Sequence, residues 1–265
     1  MPEGDNLFRA ATALGKALRG ARVVRFRSDV PLVRRAAEEK PVEGRLVAGV
    51  AARGKHLLIR FDDARILRTH LRMRGSWHLY RSGEAWQRPE HRARVAIETD
   101  SGFVAVCFDA PLVQLGSEFG MRDLEELGPD ATTDQFDSAE AVHRIRAGAD
   151  LTIGEALLVQ RAVAGIGNVI KAEALFLSGQ DPFQRVGEIA ADRLAAIVDE
   201  AHRLLVANRE SGPRTSRRAL SGPSLWVYGR SGKPCLRCGT KIVMRRQGAL
   251  ARSTYYCPRC QLVPS

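Results

Sequence analysis

VYGRSGKPCLRCGTKIVMRRQGALARSTYYCPRCQ, residues 227–261, carries two cysteine pairs, Cys235/Cys238 and Cys257/Cys260, with eighteen residues between them. Each pair sets two thiolates on one tight turn, and two such turns supply the tetrahedral sulfur shell that Zn²⁺ prefers. One structural zinc per chain is therefore expected. Four thiolates close the shell, so the metal organises the fold and activates no water. Two disulfides would use the same four residues, but the reducing compartment inferred below argues against them. The stretch KIVMRRQGALARSTYY between the pairs reads as a β-hairpin with Arg252 near its end. So small a module holds no core unaided, and its folding should depend on the metal. Cys107 stands apart in the apolar segment FVAVCF and reads as a core residue.

Outward from the cysteines the composition is lopsided. The 265-residue chain carries 41 basic and 30 acidic residues, a formal charge of +11. Residues 211–265 hold eleven of the cations, from Arg214, Arg217 and Arg218 to Arg259, and no acidic residue, which accounts for the whole excess. A neutral body joined to a cationic module points to a polyanion, nucleic acid first. With 45% apolar and 27% charged residues the chain is globular. No apolar run approaches the length of a membrane span, and Glu3 and Asp5 stand where a signal peptide carries basic residues. No membrane association, a cytoplasmic location and a monomer are expected.

Towards the N-terminus, Leu7, Phe8, Ala11, Leu14 and Leu18 recur at helical spacing between Asp5, the expected N-cap, and Gly20, the expected stop. The period then shortens. RVVRF, GRLVAGVAAR, HLLIRF, RILRTHL, SWHLY, RVAIET and FVAVCF are short β-branched segments parted by Gly54, Asp62-Asp63 and the turn at 99–102. They predict an antiparallel sandwich or barrel. Helical patterns return at 139–147, 152–163, 169–178 and 190–208, after a connection around Gly128-Pro129. The order predicts an α+β chain: an N-terminal helix with an antiparallel β-sandwich over 1–122, a helical domain over 132–222 and a β-hairpin zinc finger over 226–265.

Five stretches in order resemble the formamidopyrimidine-DNA glycosylase and endonuclease VIII family: MPEG at the start, RGKHL at 53–57, HLRMRGS at 70–76, VAGIGNVIKAEALF at 163–176, and the two halves of the finger. The resemblance implies a helix-two-turn-helix element at 163–176 and damaged DNA, double- or single-stranded, as partner, held in the cleft between the domains and met at the bacterial nucleoid. It also implies a bifunctional glycosylase and AP lyase. After removal of Met1, Pro2 presents a secondary amine that attacks the sugar C1′ and forms a cationic iminium, an electron sink for the eliminations that follow. An α-amino group near pKa 8 is roughly a tenth neutral at pH 7, far more than an ordinary lysine. Glu3 moves protons during base release. A helix N-terminus favours a charged carboxylate, so that role calls for a desolvated site. Lys55, on an apparent hairpin tip, contacts phosphate or transfers a proton. Met73 fills the gap left by the flipped nucleotide. Asn168 and Arg252 clamp the phosphate backbone.

Two departures qualify the resemblance. Asn6 replaces the glutamate usual in the family, and CFDAPLVQLG at 107–116 replaces a DPRRFG-like loop, keeping Asp109 and Pro111 but no Arg or Phe before Gly116. Weaker opposite-base discrimination is expected, which places the chain in the endonuclease VIII-like branch with oxidised pyrimidines as substrates. The competing reading is a catalytically silent DNA-binding protein of the same fold.

Overall fold

The computed structural model describes residues 2–210, 212–217 and 221–261, excepting the side chains of 118–120. Met1, whose removal is expected, and the cation Arg218 lie outside the described residues. The chain divides after Glu126 into two units.

The first unit opens with α1 (Gly4–Leu18), whose Leu7, Ala11, Leu14 and Leu18 form one buried face. Its N-cap is Glu3, a correction to the expected Asp5. Glu3 takes extended backbone, and its carboxylate and the Asn6 amide form a reciprocal capping box. Asp5 lies two residues on, within the first turn, buried, accepting from the Asn6 N–H at 2.8 Å. Gly20, at φ +80°, turns the chain out of the helix as expected.

Two four-stranded antiparallel sheets follow. One has the order β1 (Val23–Ser28), β6 (Ala93–Thr99), β7 (Phe103–Phe108), β5 (Ser76–Arg81); the other runs β2 (Val47–Arg53), β3 (His56–Phe61), β4 (Arg65–His70), β8 (Leu112–Ser117). Strand alternation turns Leu57, Ile59, Phe61 and Leu67 of the second sheet and Val95, Ile97, Ala105 and Cys107 of the first into one core, which the α1 face joins. Cys107 is fully buried there, and desolvation pushes its thiol well above the ordinary range.

Two elements of this unit depart from the expectation. α2 (Pro31–Glu39) follows β1 and buries only Val33, with Pro31 in its first turn. The stretch expected as an altered loop after Cys107 is largely strand. Asp109-Ala110-Pro111 makes the connection, and Leu112–Ser117 pairs along β4 as β8. Asp109 sits at φ +53°, held by Arg88 at 2.8 Å and Arg92 at 2.9 Å.

The second unit contains α3 (Ser138–Arg146), α4 (Ile153–Ala156), α5 (Asn168–Leu177) and α6 (Ala191–Ala207) around an apolar core of Ile145, Ile153, Leu157, Ile166, Ile170, Leu194, Ile197 and Leu205. The helix expected over 152–163 is corrected to the single turn α4, capped by Thr152 with Glu155. Beyond it the backbone partners are taken by others. The Gln160 amide donates to Leu158 O and Ile166 O and accepts from Gly165 N–H, while the incoming 128–131 segment pairs with Gln160 O and Ala164. Gly128 permits that approach: a Cβ there would lie 2.4 Å from Ala162 O. The finger hairpin is β9 (Val243–Gln247) against β10 (Arg252–Tyr256).

Candidate functional site

In the first unit, Pro2 is half-buried and precedes Glu3, which is 0% exposed. The capping box and the buried face of α1 tie this end of the chain to the core. α1 packs on β2 and β3, the strands whose turn carries Lys55. That turn is the two-residue connection Gly54-Lys55, with Gly54 at φ +56°. Lys55 is half-buried where a solvated tip would have been exposed.

Met73 occupies the tip of a tight turn between β4 and β5 and is 67% exposed. The turn is closed by Gly75 N–H donating to Leu71 O at 2.9 Å and by Arg72 N–H donating to His70 Nδ1 at 3.2 Å. Only glycine fits at 75, since a Cβ would meet Leu71 O at 2.6 Å. The exposed methionine is thus displayed by a rigid turn.

Beside Lys55 the sequence reading missed a polar cluster. His56 and His70 face each other across β3 and β4, their rings edge to face at 4.7 Å. The buried Arg68 guanidinium donates to His56 Nδ1 at 3.1 Å and grips both oxygens of Asp123 at 2.6 Å. Burial, then the Arg68 charge, lowers His56 to about 3; burial, then the Lys55 charge, lowers His70 to about 4. Both imidazoles are neutral at neutral pH, so the positive charge here belongs to Lys55 and the arginines. Both histidines lie inside motifs already quoted, but a histidine in a strand gives no sign of its burial.

In the second unit, the GIGN sequence delivers Asn168 as the first residue of α5, after Gly165 at φ +92°. Asn168 is 6% exposed and donates Nδ2–H to Ser253 O at 2.9 Å. Its Oδ1 has no hydrogen-bond partner among the described residues, so Ser253 O fixes which way the amide faces. Arg252 is exposed at the first position of β10, directly beside Ser253. The tip before it is held by Gly248 at φ +69° and Ala251 at φ +47°, and Arg246 clasps Ala251 O and Ser253 Oγ at 3.1 Å each.

The four finger thiols lie within 4.8 Å of one another. Cys235 and Cys260 Sγ are 3.9 Å apart and Cys238 and Cys257 Sγ 3.5 Å. A Zn–S length of about 2.3 Å puts tetrahedral sulfurs about 3.8 Å apart, so the set fits zinc and is far from disulfide geometry. Arg237 N–H already donates to Cys235 Sγ at 3.4 Å. The finger rests on α5 through Phe176, Val227, Ile242 and Trp226. Trp226 and Tyr228 thus pack at the finger base.

Also missed was a set of buried polar side chains along α5 and the hairpin. Glu173, 0% exposed, accepts from the N–H groups of Trp226 (2.7 Å), Val227 (2.9 Å) and Tyr228 (2.8 Å), and from Ser216 Oγ. Lys171, also 0% exposed, donates Nζ–H to Thr254 Oγ1 at 2.8 Å and Ser253 O at 3.4 Å. Thr254 donates to Gln247 Oε1, and Gln247 donates to Thr152 Oγ1 and Pro182 O. No spacing rule separates such residues from solvated ones.

The chain thus combines a capped sandwich, a helical domain with a glycine-delivered asparagine and a four-thiolate finger. Three family models match along the chain: the formamidopyrimidine-DNA glycosylase N-terminal domain over 1–111, the formamidopyrimidine-DNA glycosylase H2TH domain over 127–218, and the zinc finger found in FPG and IleRS over 232–263. The chain is 42% identical to a probable endonuclease 8 2 of Streptomyces coelicolor, covering 100% of this chain and 95% of that one. It is 39% identical to the DNA-(apurinic or apyrimidinic site) lyase Nei2 of Mycolicibacterium smegmatis, covering 98% and 99%. Lactococcus lactis Fpg in complex with N7-benzyl-Fapy-dG DNA superposes with a TM-score of 0.83 at 25% identity, over 99% of this chain and 100% of that one. The chain belongs to the formamidopyrimidine-DNA glycosylase and endonuclease VIII family, on its endonuclease VIII side. Among the described residues no helix is long and apolar enough to cross a membrane.

Proposed function

We propose that the chain is a base-excision repair enzyme, a bifunctional DNA glycosylase and AP lyase acting on oxidised bases, pyrimidines foremost. Once Met1 is removed, the Pro2 nitrogen attacks C1′ of the damaged nucleotide and the C1′–base bond breaks, with Glu3 supplying the proton that the departing base or the ring oxygen takes up. The resulting iminium acidifies C2′–H. Loss of that proton expels the 3′ phosphate, and a second elimination expels the 5′ phosphate. Lys55 serves the phosphate or proton side of this reaction, Met73 fills the vacated stack, and Asn168 and Arg252 grip the backbone. Zinc supplies no chemistry beyond holding the finger hairpin that carries Arg252.

The observation that carries this reading is the complete burial of Glu3 as the N-cap of a core helix, directly after Pro2. A tolerant, frayed terminus has no use for a desolvated carboxylate in a reciprocal capping box. Incubation of protein shown by mass spectrometry to begin at Pro2 with an abasic-site oligonucleotide and borohydride should trap a covalent adduct, abolished by blocking the terminal amine. Binding without adduct would instead leave the silent DNA-binding protein. Parallel rates on oxidised pyrimidine and oxidised purine duplexes test the lesion class, and single-stranded versions test strand preference.

A further inference from the structure

α5 is buried almost throughout, yet it carries Lys171 at the heart of the second unit. Burying an ammonium is costly unless the geometry repays it, and an apolar side chain of similar volume often stabilises more. The partners of Lys171 say what the charge is for. Its Nζ–H groups reach Thr254 Oγ1 and Ser253 O, and Asn168, one turn earlier on the same helix face, reaches the same Ser253 O. Both side chains hold the backbone residue that follows Arg252. From Thr254 the bonds continue through Gln247 to Thr152, which caps α4 with Glu155, so the hairpin is registered against two helices. Gly154 lets Gln247 lie close, since a Cβ there would meet its Oε1 at 2.5 Å. Such a buried polar chain, with successive members bonded, favours one register over its neighbours, which dispersion packing alone does less sharply.

We propose that Lys171 is a positioning residue for the DNA clamp: its ammonium sets the register of β10 on α5, so that Arg252 and Asn168 are presented to one stretch of phosphate backbone. The inference rests on the clamp role given above to Asn168 and Arg252. Lys171 itself is sealed and touches no DNA.

The test is a double-mutant cycle on full-length zinc-loaded protein, read by binding to a duplex with an uncleavable tetrahydrofuran abasic analogue at several salt concentrations. Lys171→Met should weaken binding about tenfold and make the salt dependence of log K shallower by about one ion, as Arg252→Ala does. The double variant should bind no worse than Arg252→Ala alone. Zinc content and melting temperature of Lys171→Met should be unchanged or higher, which a purely structural role would not give. Thr254→Val, which removes the acceptor and leaves the lysine, should reproduce the binding loss, and Lys171→Arg should restore part of it. In borohydride trapping the loss should fall on KM and spare kcat. Multiplicative effects of Lys171→Met and Arg252→Ala, or an unchanged salt slope, would overturn the proposal. Wild type that binds the analogue but traps no adduct would sink the lyase reading while leaving this cycle readable.

Discussion

The two units secure the side chains proposed for function by opposite means. In the first, an apolar core of two sheets and α1 does the fixing, and Pro2, Lys55 and Met73 sit on its outworks: a helix start, a two-residue turn and a glycine-closed turn. In the second, the finger bearing Arg252 is held by a four-thiolate shell, by Lys171 and Gln247 at the hairpin and by Glu173 at the 226–228 backbone before it. Dispersion and hydrophobic burial tolerate small losses gradually, whereas a metal shell or a hydrogen-bond chain fails as a whole.

The largest expected effect is therefore zinc removal. A chelator, or Cys257→Ser, should unfold the finger and abolish DNA binding while the sandwich keeps its own melting transition; zinc-binding energies of about 10 kcal/mol set the scale. A single transition shared by both units would break the contrast. Gly75→Ala comes next. The added Cβ has no room against the Leu71 carbonyl, so about 2 kcal/mol of stability should go, with the loss confined to the sandwich transition and to whatever Met73 does.

Acid sharpens the comparison further. His56 and His70 titrate at about 3 and about 4 in the fold and near 6.5 when unfolded. Between those values the unfolded chain binds more protons, so this stabilisation is complete above pH 6.5 and is lost as the pH falls. At pH 5 each imidazole should cost up to about 2 kcal/mol, measurable as a lower urea midpoint for the sandwich that His56→Gln or His70→Gln makes less steep. The smallest effect is Asn6→Ala, which removes half of the capping box and should cost about 1 kcal/mol.

How much of this was legible depended on whether a residue's job is periodic. All seven predicted strands appear, because alternating β-branched runs record which face is buried. α2 left no such record: Leu32 is 81% exposed and Val33 alone is buried, so Pro31 was the one usable sign. β8 is short, carries Gly116 near its end and lies inside the 107–116 stretch, where the missing Arg and Phe outweighed a weak strand pattern. The N-cap fell on Glu3 because backbone geometry and the Asn6 partner decide capping, where residue preference favoured Asp5. The cysteine shell was readable since metal ligands keep strict spacing. Lys171, Glu173, Gln247 and Thr254 were not, because a polar side chain looks the same in a sequence whether it meets water or a buried carbonyl.

Cys107 offers a practical dividend. Its thiol is sealed inside the sandwich and kept protonated, so an alkylating or chromogenic thiol reagent applied with a zinc chelator, while the sandwich stays folded, should count four sulfurs and not five. The fifth becomes a clock for opening of the sandwich, and one labelling time course can follow metal release and global unfolding separately.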